Sequence, residues 1–128
     1  MGSKKLKLTH SCIITENIKT LCDFYEKVLE IKPEAYGDDY VEFPTDAGVL
    51  SLFSFKAHEE LAPGSSKPGT NGCLELEFQV EDVDQDYARL KQIDVEWVKL
   101  PTTQAWGNRS IYFRDPDGNL INFYTRTR

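Results

Sequence analysis

The sequence lacks a long apolar run, an excess of basic residues and an even set of cysteines. No apolar run approaches the roughly 20 residues that a membrane-spanning helix needs. Acidic residues outnumber basic ones by 21 to 15, and the formal charge of −6 argues against binding to nucleic acid or to an anionic membrane. The three cysteines, Cys12, Cys22 and Cys73, are widely spaced, and the first residues lack the apolar core of a signal peptide. These absences predict a cytoplasmic protein with no membrane or nucleic-acid partner.

The 128 residues carry one strand–helix–three-strand pattern twice. Each predicted helix follows a capping residue, Asn17 in the first copy and Asp82 in the second. The predicted strands of the first copy are residues 6–14, 32–36, 40–44 and 48–55. Those of the second copy are residues 73–81, 95–100, 109–115 and 120–124. A shift of 65 residues superposes the two caps, and a shift of 71 superposes the two last strands, so the pattern reads as an internal repeat.

The repeat predicts an α+β protein of one domain, residues 1–128, built from two modules. Module 1 covers residues 5–55 and module 2 covers residues 73–126. The linker between them, residues 56–72, is rich in Pro, Gly and Ser. His58 within it begins an apparent HExxH zinc motif, but Ala62 stands where the second histidine should be.

Alternation along the strands predicts a polar face. In the fifth predicted strand, Glu75, Glu77 and Gln79 point away from the apolar residues that a helix should cover, and in the last strand Asn122 does the same. The repeat places His10 at the position of Glu75 and Ser51 at that of Asn122. The residues expected on one face are therefore His10, Ser51, Glu75 and Asn122, accompanied by Phe53, Trp106, Tyr112 and Tyr124. A solvated outer face would explain the charges, but the aromatic residues favour a ligand cleft.

Three segments of the sequence stand out: the first-strand His10 with DFYEKVL after it, the strand LELEFQVEDVD, and the closing AWGNRSIYFRDPDGNLINFY. Together they resemble the glyoxalase I, bleomycin-resistance protein and extradiol dioxygenase superfamily (vicinal oxygen chelate proteins). The resemblance implies two βαβββ modules that form an open, cup-like mixed sheet with helices on the outer face. It also implies a homodimer and a small organic ligand.

In metal-using members of that superfamily, residues of the first and last strands hold a divalent ion. Carried over, these positions are His10, Ser51, Glu75 and Asn122, and the sequence departs from the pattern because Ser51 and Asn122 replace carboxylates. His10 and Glu75 remain credible metal ligands, with Asn122 as a weak, neutral third ligand. The cofactor expected is one divalent metal (Zn, Ni, Co, Mn or Fe) or none. Two alternatives stay open: a thiolate from Cys12 or Cys73 joins the site, or His10 and Glu75 pair without metal.

The resulting hypothesis is a small-molecule-binding protein with a degenerate metal site. The alternative is a divalent-metal-dependent lyase, isomerase or dioxygenase in which His10 and Glu75 are the catalytic residues. A non-catalytic interaction domain is the third reading. The residues expected to contact the ligand are Ser51, Phe53, Trp106, Arg109, Tyr112 and Tyr124.

Overall fold

The computed structural model describes residues 6–67 and 74–127. The chain divides into two compact units, Met1–Pro68 and Gly69–Arg128, so the boundary falls inside the predicted linker 56–72. Each unit is one βαβββ module with its own four-stranded mixed sheet. The predicted α+β class and the two-module architecture are confirmed. Cys73 and residues 68–72 of the predicted linker lie outside the described residues, and no described helix is long and apolar enough to span a membrane.

The first unit has the strand order β1-β4-β3-β2, with β1 parallel to β4 and the other pairs antiparallel. Its elements are β1 (His10–Thr15), α1 (Ile18–Leu29), β2 (Glu34–Ala35), β3 (Tyr40–Pro44), β4 (Val49–Ser54) and α2 (Phe55–Leu61). Helix α1 packs on the sheet through the buried side chains of Leu21, Tyr25 and Val28. The ring of Tyr25 lies 6.1 Å from that of Phe43, so the helix and β3 share one apolar core.

The second unit repeats this topology, with the strand order β5-β8-β7-β6. Its elements are β5 (Glu75–Gln79), α3 (Val83–Leu90), β6 (Glu96–Thr103), β7 (Asn108–Arg114) and β8 (Leu120–Arg126). Helix α3 contacts β6, β7 and β8. The core below it includes Phe113 and Phe123, whose rings meet edge to face at 5.4 Å, and Phe78 extends this cluster along β5.

The pairing registers of the two sheets reproduce the internal repeat residue by residue. In the first sheet the β1–β4 pairing sets Cys12 opposite Ser51, and in the second the β5–β8 pairing sets Glu77 opposite Asn122. Because Cys12 and Glu77 are 65 residues apart and Ser51 and Asn122 are 71 apart, the same two shifts that align the sequences also align the hydrogen-bonded strands. The repeat predicted from the sequence is therefore a structural one.

The two helix caps differ in their chemistry. The carboxylate of Asp82 accepts hydrogen bonds from the backbone N–H groups of Asp84 and Gln85, as its position predicts. Asn17 also precedes its helix, but its side chain makes no capping hydrogen bond, and its own N–H donates to Thr15 Oγ1. Helix α1 ends at Leu29, and the capping residue after it, Glu30, adopts the left-handed conformation with φ of 57°.

Several predicted strand boundaries were wrong, including the end of the strand predicted at residues 95–100, which runs to Thr103. Two of them have a clear physical reason. The first strand begins at His10 rather than at residue 6, because its partner β4 begins only at Val49 and gives the earlier residues no continuous ladder. The fourth strand ends at Ser54, where the Ser54 hydroxyl accepts from the N–H of Ala57 and starts helix α2 inside the predicted linker.

Candidate functional site

Each sheet carries a polar face opposite its helix. Leu50 and Leu52 of β4 point into the core of the first unit, and Ile121 and Phe123 of β8 do the same in the second. The alternate residues of the same strands point the other way. We call His10, Cys12, Glu42 and Ser51 the first polar face, and Glu75, Glu77, Tyr112 and Asn122 the second polar face. The β-ladders place the four residues of the first polar face and the four of the second at matching positions in their sheets.

Both ring nitrogens of His10 lie within hydrogen-bond distance of a neighbouring side chain. Its Nε2 donates to Glu42 Oε2 over 3.0 Å, and its Nδ1 lies 2.9 Å from Thr9 Oγ1. The same Glu42 oxygen accepts from the Tyr40 hydroxyl at 2.8 Å. Because a carboxylate only accepts hydrogen bonds, Nε2 must carry its hydrogen in this arrangement. The His10 side chain is 43% exposed, so a ligand can still reach its ring.

Ser51 lies at the centre of the first polar face and is 1% exposed. Its hydroxyl meets no partner with hydrogen-bond geometry within the described chain. Burial raises the pKa of the Cys12 thiol, and the neighbouring Ser51 hydroxyl lowers it in part. Burial likewise raises the pKa of the Tyr40 hydroxyl, with Ser51 opposing and Glu42 adding to that effect. Both groups therefore stay protonated at neutral pH, and Cys12 is not an activated thiolate.

Asn122 occupies the corresponding position in the second polar face. Its amide Nδ2 donates to Glu75 Oε2 at 3.3 Å and to Glu77 Oε2 at 3.2 Å, and it lies 3.5 Å from the Tyr112 hydroxyl. Asn122 is 4% exposed, whereas both glutamates are exposed. Its carbonyl oxygen Oδ1 is buried and has no partner within the described chain. From its buried position, the neutral amide of Asn122 therefore donates hydrogen bonds to the carboxylates of both Glu75 and Glu77.

Tyr112 lies beside the two carboxylates, and their charges affect the pKa of its hydroxyl. Its pKa is raised first by burial and then by the negative charges of Glu75 and Glu77. The phenol therefore remains neutral at physiological pH, where it can donate or accept a hydrogen bond. Further along the same face, the Tyr124 hydroxyl donates to Gln79 Oε1 at 3.5 Å. The second polar face thus combines carboxylates, one amide and two phenols.

The other residues expected to contact a ligand have different surroundings. Phe53 lies on the first polar side of β4 and packs edge to face with Tyr40 at 5.2 Å and with His58 at 5.1 Å. Trp106 lies in the β6–β7 turn and is 69% exposed. Arg109 points to the helix side of β7 and makes two hydrogen bonds with Asp84, at 2.8 and 3.1 Å. The structure therefore does not bring Arg109 beside Tyr112.

The side chains proposed as metal ligands are engaged with other groups. The His10 Nε2 that would bind a metal carries a hydrogen bonded to Glu42, and Glu75 accepts from the amide nitrogen of Asn122. The described residues include no cluster of three or more His, Cys, Asp or Glu side chains with metal-site geometry. A divalent ion would have to break the His10–Glu42 bond and turn the Asn122 amide. The residues as arranged do not fit a resident metal.

The site contains members that sequence reasoning missed or set aside. Glu42 is the carboxylate partner of His10, although the sequence suggested Glu75 for that role. Alternation in β3 puts Tyr40 and Glu42 on one side of the strand, and this signal was present in the predicted strand 40–44. Alternation along β5 predicts the face on which Glu77 lies, but not that its carboxylate accepts a hydrogen bond from the Asn122 amide. Because His10 and Glu75 belong to different units, their predicted convergence on a common hollow stays a prediction.

Comparison with known proteins agrees with this architecture. Residues 7–123 match the model of the Glyoxalase/Bleomycin resistance protein/Dioxygenase superfamily. The chain is 29% identical to the uncharacterized protein YraH of Bacillus subtilis over 93% of this chain and 98% of that protein. It is 30% identical to virulence protein STM3117 of Salmonella typhimurium over 90% of this chain and 81% of that protein.

Solved structures share the fold over nearly the whole chain. The crystal structure of STM3117 has a TM-score of 0.74 at 28% identity and covers 98% of both chains. A glyoxalase/bleomycin resistance protein/dioxygenase from Nocardioides has a TM-score of 0.82 at 18% identity, covering 99% of this chain and 87% of that one. The doubled module, the two matching polar faces and the family match over residues 7–123 lead to one conclusion. The chain belongs to the glyoxalase/bleomycin resistance protein/dioxygenase superfamily.

Proposed function

We propose that this protein binds a small organic ligand with its polar faces and that its metal site is degenerate. The observation that carries the proposal is the engagement of His10 with Glu42 and Thr9, which occupies both ring nitrogens. An imidazole that serves as a metal ligand needs an unprotonated nitrogen directed at the ion. In this chain the Nε2 hydrogen is directed at a carboxylate.

The chemistry of the last strands supports the same proposal. Ser51 and Asn122 offer a hydroxyl and a neutral amide, and neither supplies the negative charge that offsets stripping water from a divalent ion. The Asn122 amide directs its nitrogen, not its oxygen, at Glu75. The site therefore lacks the third strong ligand that tight metal binding needs.

Aromatic side chains beside these polar groups favour an organic ligand. In the first unit, Tyr36, Tyr40 and Phe53 form a continuous series of ring contacts at 6.0 and 5.2 Å. In the second unit, Tyr112 and Tyr124 flank the buried Asn122. Apolar walls with a few directed polar groups are typical of small-molecule sites.

Metal analysis of protein purified without chelator tests the proposal. We expect much less than one equivalent of Zn, Ni, Co, Mn or Fe per chain, and the same content in the His10→Ala variant. A stoichiometric metal that is lost in His10→Ala but kept in His58→Ala would contradict the proposal. It would support the divalent-metal-dependent lyase, isomerase or dioxygenase, with His10 and Glu75 as ligands and Asn122 as the third.

Ligand binding itself is tested with three probes that share one skeleton: phenethylammonium, 2-phenylethanol and phenylacetate. In metal-free protein, at least one probe should shift the backbone amide signals of Ser51 or Asn122 saturably in two-dimensional NMR spectra. The Lys19 amide, on the exposed side of α1, serves as an internal control. No saturable shift with any of the three probes would contradict the proposal.

A cytoplasmic homodimer is part of the same proposal. The superfamily resemblance supports the dimer, and the odd number of cysteines supports a reducing compartment. Light scattering coupled to size-exclusion chromatography should give twice the chain mass of 14.7 kDa. A mass equal to one chain would contradict the dimer.

A further inference from the structure

We propose that the first polar face binds a ligand that carries an aromatic ring and a neutral hydroxyl group, and that this hydroxyl bonds to Ser51. The inference rests on the proposed function, because it names the ligand chemistry of one polar face. The core of the first unit lies on the other side of the sheet, where Phe43, Leu50 and Leu52 are buried. The polar side is therefore not needed to build that core.

Ser51 carries a buried hydroxyl without a protein partner. The residue is 1% exposed, and its Oγ has no hydrogen-bond partner in the described parts of the chain. A buried hydroxyl that makes no hydrogen bond costs the folded protein stability. Alternation along β4 directs this side chain to the polar side, where the β-ladders set Cys12 and Glu42 on its two flanks. The missing partner is therefore expected from the polar side of the sheet.

The groups around Ser51 favour a neutral partner. Burial raises the pKa of the Cys12 thiol and of the Tyr40 hydroxyl, so both groups keep their protons at neutral pH. The carboxylate of Glu42 already accepts hydrogen bonds from His10 and from Tyr40. It would repel an anionic ligand, and a cationic ligand would have to compete with the two donors that it already has. A ligand hydroxyl, which both donates and accepts, suits Ser51 best.

A series of aromatic rings follows the same side of the sheet. Tyr40 and Phe53 lie opposite each other on β3 and β4, with ring centroids 5.2 Å apart. His58 of α2 packs edge to face on Phe53 at 5.1 Å, and the ring of Tyr36 lies 6.0 Å from that of Tyr40. Tyr40 and Phe53 are half-buried, and Tyr36 is exposed. Aromatic rings that stay partly exposed beside a polar group are typical of sites for aromatic ligands.

The rings and the hydroxyl are close enough for one small ligand to contact both. Phe53 follows Ser51 by two residues on β4, so their side chains point the same way about 7 Å apart. A ring placed against Phe53 and joined to a hydroxyl by two carbon atoms would bring that hydroxyl to Ser51. Cys12 beside it is exposed and turns about a single torsion, so its side chain can move aside for the ligand.

The experiment compares 2-phenylethanol, phenethylammonium and phenylacetate, which share one skeleton and differ in charge. Dissociation constants come from NMR titrations of metal-free protein that follow the backbone amides of Cys12 and Ser51. Ser51→Ala removes a hydroxyl that has no partner in the described chain, so this variant should fold. Ser110→Ala, at a buried serine of the second unit, is its matched control. Phe53→Leu removes the ring but keeps apolar bulk, and Phe24→Leu on helix α1 is its matched control.

We expect 2-phenylethanol to bind wild type at least about fivefold more tightly than either charged probe. Ser51→Ala should weaken its binding roughly two- to tenfold, the range expected for one lost hydrogen bond. Phe53→Leu should weaken it by a similar factor of roughly two- to tenfold, because an aromatic pair is lost. The two control variants should bind 2-phenylethanol as wild type does.

Three results would overturn the inference while leaving the proposed function standing. The first is equal or tighter binding of a charged probe at Ser51. The second is an unchanged affinity for 2-phenylethanol in Ser51→Ala, which would assign the missing partner to an ordered water instead of the ligand. The third is a shift of the Asn122 amide by 2-phenylethanol without any shift at Ser51. If none of the three probes binds, both proposals fail.

Discussion

Replacing Asn122 with aspartate should destabilise the protein through two lost hydrogen bonds and an added charge, with no loss of side-chain volume. The substitution keeps the shape of the side chain but exchanges two N–H donors for a third carboxylate beside Glu75 and Glu77. The two lost hydrogen bonds are long, at 3.2 and 3.3 Å, and should cost about 1 kcal/mol each. Repulsion by two partly solvated carboxylates adds about 1–2 kcal/mol. We therefore expect Asn122→Asp to lower the free energy of unfolding by roughly 3–4 kcal/mol at pH 8.

The pH dependence separates this charge effect from a simple loss of contacts. The carboxyl group introduced at position 122 is buried beside two like charges, so its pKa in the folded state should lie above the value of about 3.9 in the unfolded chain. The folded protein then binds more protons than the unfolded chain between these two pKa values, and the penalty grows as pH rises through that interval. The penalty should therefore be smaller at pH 5 than at pH 8.

Urea denaturation at pH 5 and pH 8 measures the effect, with Asn122→Ala as the control. The alanine variant loses the same hydrogen bonds and adds no charge, so its loss of stability should change little between the two pH values. We expect Asn122→Asp to be less stable than Asn122→Ala by about 1–2 kcal/mol at pH 8. Equal stability of the two variants at pH 8, or a gap that does not narrow at pH 5, would refute the argument.

Three further predictions concern the helix ends and the tyrosine next to the acidic pair. Asp82→Ala should cost about 1 kcal/mol of unfolding free energy and Asn17→Ala only a few tenths, because only Asp82 makes capping hydrogen bonds; equal losses in urea denaturation would contradict this. Glu30→Gly should raise the free energy of unfolding by about 0.5–1 kcal/mol, because glycine adopts a φ of 57° without strain. The control variant Glu30→Ala should bring no gain. A lower free energy of unfolding in Glu30→Gly would contradict the prediction. In an ultraviolet titration of Glu75→Gln/Glu77→Gln, the pKa of Tyr112 should fall toward its ordinary value of 10. It should stay above 10, because burial is the larger cause of the raised pKa. An unchanged titration would exclude the charge effect.

Much of the fold could be predicted because local patterns and long-range packing agree. Alternation and turn residues gave β3 its observed bounds, Tyr40–Pro44, and the position of Asp82 before an apolar helical pattern identified a cap that the structure contains. The parity of Asn122 was also predictable, since Ile121 and Phe123 on either side of it demand burial against α3. Where apolar periodicity decides the side of a strand, sequence reasoning is sufficient.

The partners within the site could not be predicted in the same way. The bond between His10 and Glu42 depends on the registers of β1 with β4 and of β4 with β3, and no local pattern in the sequence fixes either register. Arg109 illustrates a different limit. Its alternation with Ile111 and Phe113 indicates the helix side of β7, but its bidentate contact with Asp84 also requires the position of α3. Side-chain pairing across elements is a property of the assembled sheet.

The hydrogen on His10 Nε2 is the most direct test of the account, because a ring nitrogen that is bonded to Glu42 cannot also bind a metal ion. Long-range ¹H–¹⁵N NMR of the imidazole, assigned with His58→Gln, reports that hydrogen before and after addition of one equivalent of Zn²⁺. The account predicts a protonated Nε2 that keeps its chemical shift when zinc is added. An Nε2 signal that moves to the chemical shift of a metal-bound nitrogen at one equivalent would contradict it.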